Sequence, residues 1–143
     1  GVLLSGIISI IGSGTTNTIP YNPGQQRDSC RLRLSAADFG ERPKNYKVII
    51  KNYMEKVLKD PDSAKYFWDE ALGPEKGFAY DVADAACSGY GWMICVPINA
   101  KNSYGGYTGP QRQFFLLKDN SVAYFESVRN MSFNCTYFSE QKL

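Results

Sequence analysis

The residues best suited to contacting a ligand lie within residues 95–115, CVPINAKNSYGGYTGPQRQFF. An apolar, β-prone run ends at Asn99, a loop rich in Gly, Asn and Tyr follows, and a second apolar run begins at Phe114. This order predicts a hairpin whose long loop is built from residues that tolerate left-handed backbone and can stack aromatic rings. Such a loop presents a surface for recognition, whereas the residues around it form no pattern equipped for catalysis.

The segment SYGGYTG at residues 103–109 has two interpretations. As plain structure, it is a wide hairpin loop whose glycines occupy positions with positive φ. As a binding site, it offers tyrosines as stacking platforms and neighbouring amide and lysine side chains as polar contacts for sugar rings or extended peptides. A phosphate cradle is disfavoured, because the segment lacks the Gly-Lys-Ser/Thr ending of a P-loop and leads into no helix. The predicted binding residues are Asn99, Lys101, Asn102, Tyr104 and Tyr107.

Histidine is absent from the 143 residues. Its absence removes the commonest general base, the commonest metal ligand and the usual activator of a Ser or Cys nucleophile. A hydrolase that uses carboxylates such as Asp81 and Asp84 is the last-ranked alternative, since one of the pair would need a raised pKa. We therefore expect a protein that is not an enzyme and has no catalytic residue, no metal and no cofactor.

The four cysteines are Cys30, Cys87, Cys95 and Cys135. Their spacing fits neither a zinc knuckle nor a redox dithiol. An even number in a small domain fits two disulfides in an oxidising compartment, and three connectivities exist. We favour Cys95 with Cys135, which would tie the C-terminal segment to a core strand and leave Cys30 with Cys87. The alternative is four reduced, buried thiols in a cytosolic protein.

Charge and the N-terminal segment bear on partners and location. The net charge of +2 is spread among acidic residues, so no basic stripe predicts nucleic-acid binding. Residues 1–14, GVLLSGIISIIGSG, are apolar but too short for a transmembrane helix of about 20 residues. They have the length of a signal-peptide apolar region, but the expected Met and basic stretch are missing. A short anchor, a partner-docking strand or a lipidated residue before Gly1 would also explain them, so we expect membrane proximity and docking onto other protein subunits.

The segments that position the loop are predicted from hydrophobic spacing. Residues 1–29 are an apolar segment followed by a flexible linker, and residues 30–143 form a single domain. One long amphipathic helix is predicted over residues 46–59 and a short edge strand at residues 30–34. Further strands are predicted at residues 65–68, 78–82, 92–98, 113–117, 122–127 and 131–138, with a turn at 118–121. The predicted fold class is α+β, with the long helix packed on an antiparallel sheet of three to five strands and an extended N-terminal tail.

Two motifs carry a resemblance to a known family. LKDPDSAKYFW at residues 58–68, followed by CVPINAKNSYGGYTGPQRQFF, resembles a family of small bacterial envelope proteins, many of them predicted lipoproteins. The similarity covers about residues 46–125. The resemblance implies an α+β fold and a periplasmic or outer-membrane-associated location in the bacterial cell envelope. It implies no catalytic mechanism.

These observations lead to two hypotheses about function. The first is a non-enzymatic, disulfide-containing subunit of a larger envelope assembly, such as the outer-membrane complex of a secretion system, that docks through its N-terminal segment. The second is a free periplasmic binding module that recognises a glycan, a peptide or an enzyme through the SYGGYTG loop. The absent histidine, the cysteine count, the apolar N-terminus and the resemblance favour the first.

Overall fold

The computed structural model describes residues 23–79, 89–128 and 143. The predicted N-terminal segment at residues 1–14 and the predicted strand at 131–138 therefore lie outside the described residues. The helices are α1 (Pro23–Leu34) and α2 (Tyr46–Val57), and a 3₁₀ turn follows at Pro61–Ser63. The strands are β1 (Lys65–Tyr66), β2 (Glu75–Ala79), β3 (Gly89–Asn99), β4 (Gln111–Lys118) and β5 (Ser121–Val128).

All five strands join one antiparallel sheet with β3 at its centre. Strand β4 pairs with one edge of β3, and β1 and β2 share the other edge. Strand β5 completes the sheet beside β4. The β4–β5 connection is the predicted turn, in which Asp119 and Asn120 have φ of 53° and 62°. Two successive residues in the left-handed region are what a tight two-residue hairpin requires, and Asp and Asn tolerate that conformation.

Both faces of the sheet carry buried side chains. The first face packs against α2 and contributes Ile94, Val96, Ile98, Phe115 and Leu117 to the larger core cluster. The second face carries a smaller cluster formed by Ala79, Met93, Phe114 and Leu116, with Cys95 and Tyr124 against it. Strand β4 is consequently buried on both sides, which explains why FFLL at residues 114–117 is a continuous apolar run rather than an alternation.

Residues 30–34 are helical, so the predicted edge strand there is wrong. The alternation CRLRL suited a strand, but Cys30 and Leu34 are also four residues apart and therefore share one face of a helix. Both are buried against Phe78, whereas Leu32, which a strand would have placed on the same face, is 78% exposed. Helix α1 begins at Pro23, a residue suited to the first helical turn.

The connection between the helices also packs on the first face. The Phe39 ring meets the rings of Tyr90 and Trp92 edge to face, at 5.1 and 6.3 Å between centroids. The Trp92 indole N–H donates a hydrogen bond of 3.0 Å to the Phe39 carbonyl. The N–H of this half-buried indole thereby has a partner, and the connection between α1 and α2 is fastened to the central strand.

The predicted α+β fold with one long amphipathic helix is wrong. The described chain is mostly antiparallel sheet, and α1 and α2 are short helices of 12 residues each. Helix α2 ends at Val57 because Leu58 adopts extended backbone, with φ −77° and ψ 147°, while its N–H still bonds to the Met54 carbonyl. The apolar spacing that continues through Leu58 therefore does not lengthen the helix. No described helix has both the length and the apolar content needed to cross a bilayer.

Two cysteines of the described chain are disulfide-bonded, namely Cys30 and Cys95. Cys30 packs with Phe78 under α1, on the first face, whereas Cys95 belongs to the second face. A disulfide requires Cα atoms within about 7 Å, so residues on opposite sides of a sheet are not bonded to each other. One of the three connectivities is thereby excluded. Cys87 and Cys135 lie outside the described residues, and the pairing of each with Cys30 and Cys95 stays a prediction.

Candidate functional site

The loop between β3 and β4, residues 100–110, closes on itself through a bridge between Lys101 and Tyr107. Gly105 and Gly109 have φ of +79° and +101°. These values match the prediction that glycines occupy positive-φ positions of a wide hairpin loop. No atom comes within 4 Å of a Cβ built at either glycine, so backbone conformation rather than crowding favours glycine there.

Asn102 organises the turn inside the loop. Its side-chain Oδ1 accepts hydrogen bonds from the backbone N–H of Tyr104 at 2.9 Å and of Gly106 at 3.2 Å. Its own backbone N–H donates to the Gly106 carbonyl, and its carbonyl accepts from the Gly105 N–H. An asparagine side chain that satisfies backbone donors in this way substitutes for regular structure. Asn102 was predicted to contact a ligand, but its Oδ1 is already engaged by backbone N–H groups of the loop.

The base of the loop is fastened to the 3₁₀ turn through Ser63. The Ser63 Oγ accepts a hydrogen bond of 2.9 Å from the Lys101 backbone N–H and donates one of 2.7 Å to the Asp60 carbonyl. The Ser63 carbonyl accepts a hydrogen bond of 2.8 Å from the Tyr107 hydroxyl. A single serine thus joins the two sequence motifs, because it lies in KDPDSAK while its partners Lys101 and Tyr107 lie in NAKNSYGGYTG.

Tyr107 is a fixed element of the loop, with its ring 40% exposed. The Lys65 ammonium lies 4.6 Å from the ring centroid and the Lys101 ammonium 5.7 Å. Both distances are within the range of a cation–π attraction. The predicted stacking platform is thus already occupied by lysine contacts, and its hydroxyl is bound to Ser63.

Tyr104 differs from Tyr107 in having its side chain 96% exposed. It stands at the tip of the loop, and its backbone N–H is held by Asn102. Because the backbone beneath Tyr104 is already held, covering the ring by a partner costs mainly its side-chain rotamer freedom and little further ordering of the loop. Among the predicted binding residues, Tyr104 has the side chain most available for contact.

Asn99 lies apart from the loop tip, as the last residue of β3 opposite Lys65 of β1. Its Oδ1 is buried and accepts no hydrogen bond from the described residues. Asn99 is linked to the loop only indirectly, because its strand partner Lys65 also lies over the Tyr107 ring. The sequence did not predict that Ser63 and Lys65, both in the KDPDSAK motif, contact the loop. A serine and a lysine near a turn are common, and nothing in the neighbouring residues indicates contacts with residues about 40 positions later in the chain.

The described residues offer no metal centre. Among residues 23–79, 89–128 and 143, no three Cys, Asp or Glu side chains lie close enough to hold a metal ion. Asp81 and Asp84, the carboxylates of the hydrolase alternative, lie outside these residues.

Within β1, burial raises the pKa of the Tyr66 phenol, with Glu55 adding to the effect. The Tyr66 ring is stacked on that of Trp68 with centroids 5.3 Å apart, so this tyrosine packs between helix and sheet.

Comparison of the chain with protein-family models, curated proteins and solved structures finds no match. The resemblance to the envelope family rests on its two motifs and stays a prediction.

Proposed function

We propose that this chain is a non-enzymatic binding subunit of an assembly in the bacterial cell envelope, and that it contacts a protein partner through the tip of the β3–β4 loop. The observation that carries the proposal is the exposure of Tyr104 on a loop whose backbone is held from within by Asn102 and from below by Ser63. Tyrosine is among the residues that contribute most to protein–protein contacts.

The arrangement of the loop supports recognition of a partner of complementary shape. Holding a loop in one conformation before binding reduces the entropy lost on association. The hydrogen bonds of Asn102 and Ser63 perform that function here, and they leave the Tyr104 ring in water. A free aromatic side chain at a mobile tip would offer the same chemistry at a larger entropic cost.

The proposed location is periplasmic or outer-membrane-associated. The disulfide state of Cys30 and Cys95 supports an oxidising compartment, because such bonds seldom persist in the cytosol. The resemblance of the two motifs to envelope proteins supports the same location. The apolar segment at residues 1–14 would dock onto other subunits or lie near the membrane, as in the outer-membrane complex of a secretion system.

Site-specific cross-linking in cells tests the proposal. A photoreactive amino acid replaces Tyr104 in one variant and Val48, a 55% exposed residue of α2, in a control variant. After irradiation, the proposal predicts a discrete protein adduct at position 104, absent at position 48, and co-migration of the unmodified chain with a large complex in native chromatography. A free 16 kDa species with no adduct at position 104 would contradict it. Retention on a glycan matrix that is lost in Tyr104→Ala would instead support the free binding module.

A further inference from the structure

A groove of about 320 Å³ runs beside the base of the loop, on the first face of the sheet. The end of α2 forms one wall, the ends of the β3–β4 loop form another, and strands β3, β4 and β5 form the floor. The volume lies at the lower end of the range for sites that hold small ligands. The lining includes Val57, Lys59, Ile98, Lys101, Gln113 and Phe125.

The floor of the groove contains a buried amide with an unsatisfied acceptor. Gln113 is 6% exposed and lies between Val96 and Ser127 in the sheet register. Its Oε1 accepts no hydrogen bond from the described residues. Leaving a buried acceptor unpaired costs about 1–3 kcal/mol. An apolar residue at this position would avoid that cost. We therefore expect a ligand bound in the groove to donate a hydrogen bond to the Gln113 amide oxygen.

The remaining lining is apolar with a positive rim. Val57, Ile98 and Phe125 supply an apolar surface, and Lys59 and Lys101 are the charged members of the described lining, which includes no carboxylate. A ligand that complements this groove has an apolar group, an N–H donor next to it and a negative charge close by. An extended peptide with an apolar residue followed by an acidic one carries all three features.

We propose that the groove binds such a peptide segment of a partner protein, with its apolar side chain on Val57 and Phe125, a backbone N–H donating to Gln113 Oε1, and its carboxylate beside Lys59 or Lys101. The peptide backbone supplies the donor that a fatty acid lacks. The open shape and the polar rim suit a chain that passes through rather than a ligand that is enclosed. This site is separate from the Tyr104 contact and does not depend on it.

The test uses the full-length chain and two blocked tetrapeptides, acetyl-Gly-Leu-Asp-Gly-amide and acetyl-Gly-Leu-Lys-Gly-amide, titrated by NMR. The first peptide is expected to shift the amide resonances of Lys59, Gln113 and Phe125 with a Kd of about 1 mM, as suits so small a contact. The second is expected to bind at least about tenfold more weakly, a difference of about 1.4 kcal/mol. A titration with octanoate tests the alternative that the groove binds any molecule with an apolar chain and a carboxylate.

Paired variants separate binding from folding. Val57→Asp removes an apolar contact and adds a negative charge to the groove that is to hold an acidic peptide, so it is expected to abolish the shifts. Val48→Asp changes an exposed valine on the same helix outside the groove and should leave them intact. Gln113→Met is expected to raise the melting temperature, because the unpaired acceptor is gone, and to weaken peptide binding by about tenfold. A rise in stability combined with a loss of affinity would mark the amide as a binding group.

Three outcomes would overturn the proposal. They are the absence of shifts with either peptide, equal affinity for the two peptides, and saturation by octanoate at lower concentration than by the acidic peptide. Tyr104→Ala should leave the shifts unchanged. The peptide-binding proposal can therefore be refuted while the proposed contact at Tyr104 is supported, or the other way round. The two proposals are tested independently.

Discussion

The hydroxyl of Tyr107 donates a hydrogen bond of 2.8 Å to the main-chain carbonyl of Ser63, 44 residues earlier in the chain. With the bond from the Lys101 N–H to Ser63 Oγ, it fixes both strands of the loop base to one residue. The turn after α2 thus acts as the support of the recognition loop. Of the two tyrosines in SYGGYTG, one holds the loop in place and the other is presented to solvent.

Tyr107→Phe should lower the free energy of unfolding by about 0.5–1.5 kcal/mol, since it removes one hydrogen bond and leaves the ring and its lysine contacts. Faster amide hydrogen exchange is expected at Lys101, whose N–H is bound at the same support. Tyr104→Phe is the matched control, because the same hydroxyl is deleted from a side chain that is almost wholly in water. Denaturant melts of both variants check this, and equal stabilities would refute the structural role of Tyr107.

Asn102→Ala should increase the mobility of the loop tip, since the Oδ1 that accepts from Tyr104 and Gly106 is lost. Both hydrogen bonds are solvent-exposed, so the expected cost in global stability is below about 1 kcal/mol. Asn102→Asp keeps an acceptor oxygen and should behave like the original protein. Backbone ¹⁵N relaxation at residues 103–106 is the measurement, and unaltered order in Asn102→Ala would show that the side chain is dispensable.

Gly91→Ala should destabilise the fold by about 1–3 kcal/mol. A Cβ on Gly91 would lie 2.6 Å from the Leu117 carbonyl oxygen of β4, and backbone in a paired strand cannot move aside cheaply. Gly106→Ala is the control, because its Cβ would meet nothing closer than 4.0 Å. Its melting temperature should be unchanged or slightly higher, since alanine restricts the unfolded chain. Equal melting temperatures for the two variants would contradict the close approach of β3 and β4.

Mass spectrometry of non-reduced peptides should find no bond between Cys30 and Cys95, and we predict Cys30 with Cys87 and Cys95 with Cys135. Trypsin alone is insufficient, because Lys76 and Lys101 are the nearest basic residues around both Cys87 and Cys95. Chymotrypsin, which cleaves after the aromatic residues Tyr90 and Trp92 between them, separates the two peptides. A peptide that links Cys30 to Cys95 would mean that they do not lie on opposite faces of the sheet.

The sequence by itself determined the local elements whose signals are chemical and short-range. The predicted strands at residues 92–98, 113–117 and 122–127 all lie within β3, β4 and β5. The KDNS turn and the positive-φ glycines of the loop were predicted for the same reason, since Asp, Asn and Gly tolerate left-handed backbone. The buried stripe predicted a helix in the segment that forms α2, but the predicted long helix was wrong, since α2 is a short helix of 12 residues.

Tertiary structure decided the features that depend on side-chain burial and on hydrogen-bond partners distant in the sequence. The CRLRL segment fits a strand or a helix equally well by spacing, and it became a helix because Cys30 and Leu34 pack on Phe78. The loop is fastened to Ser63, which lies 38 residues before Lys101, and Gln113 Oε1 accepts no hydrogen bond from the described part of the chain. Neither fact can be deduced from neighbouring residues in the sequence. Local sequence carries propensity and period, whereas burial and hydrogen-bond partners arise only when distant segments are packed together.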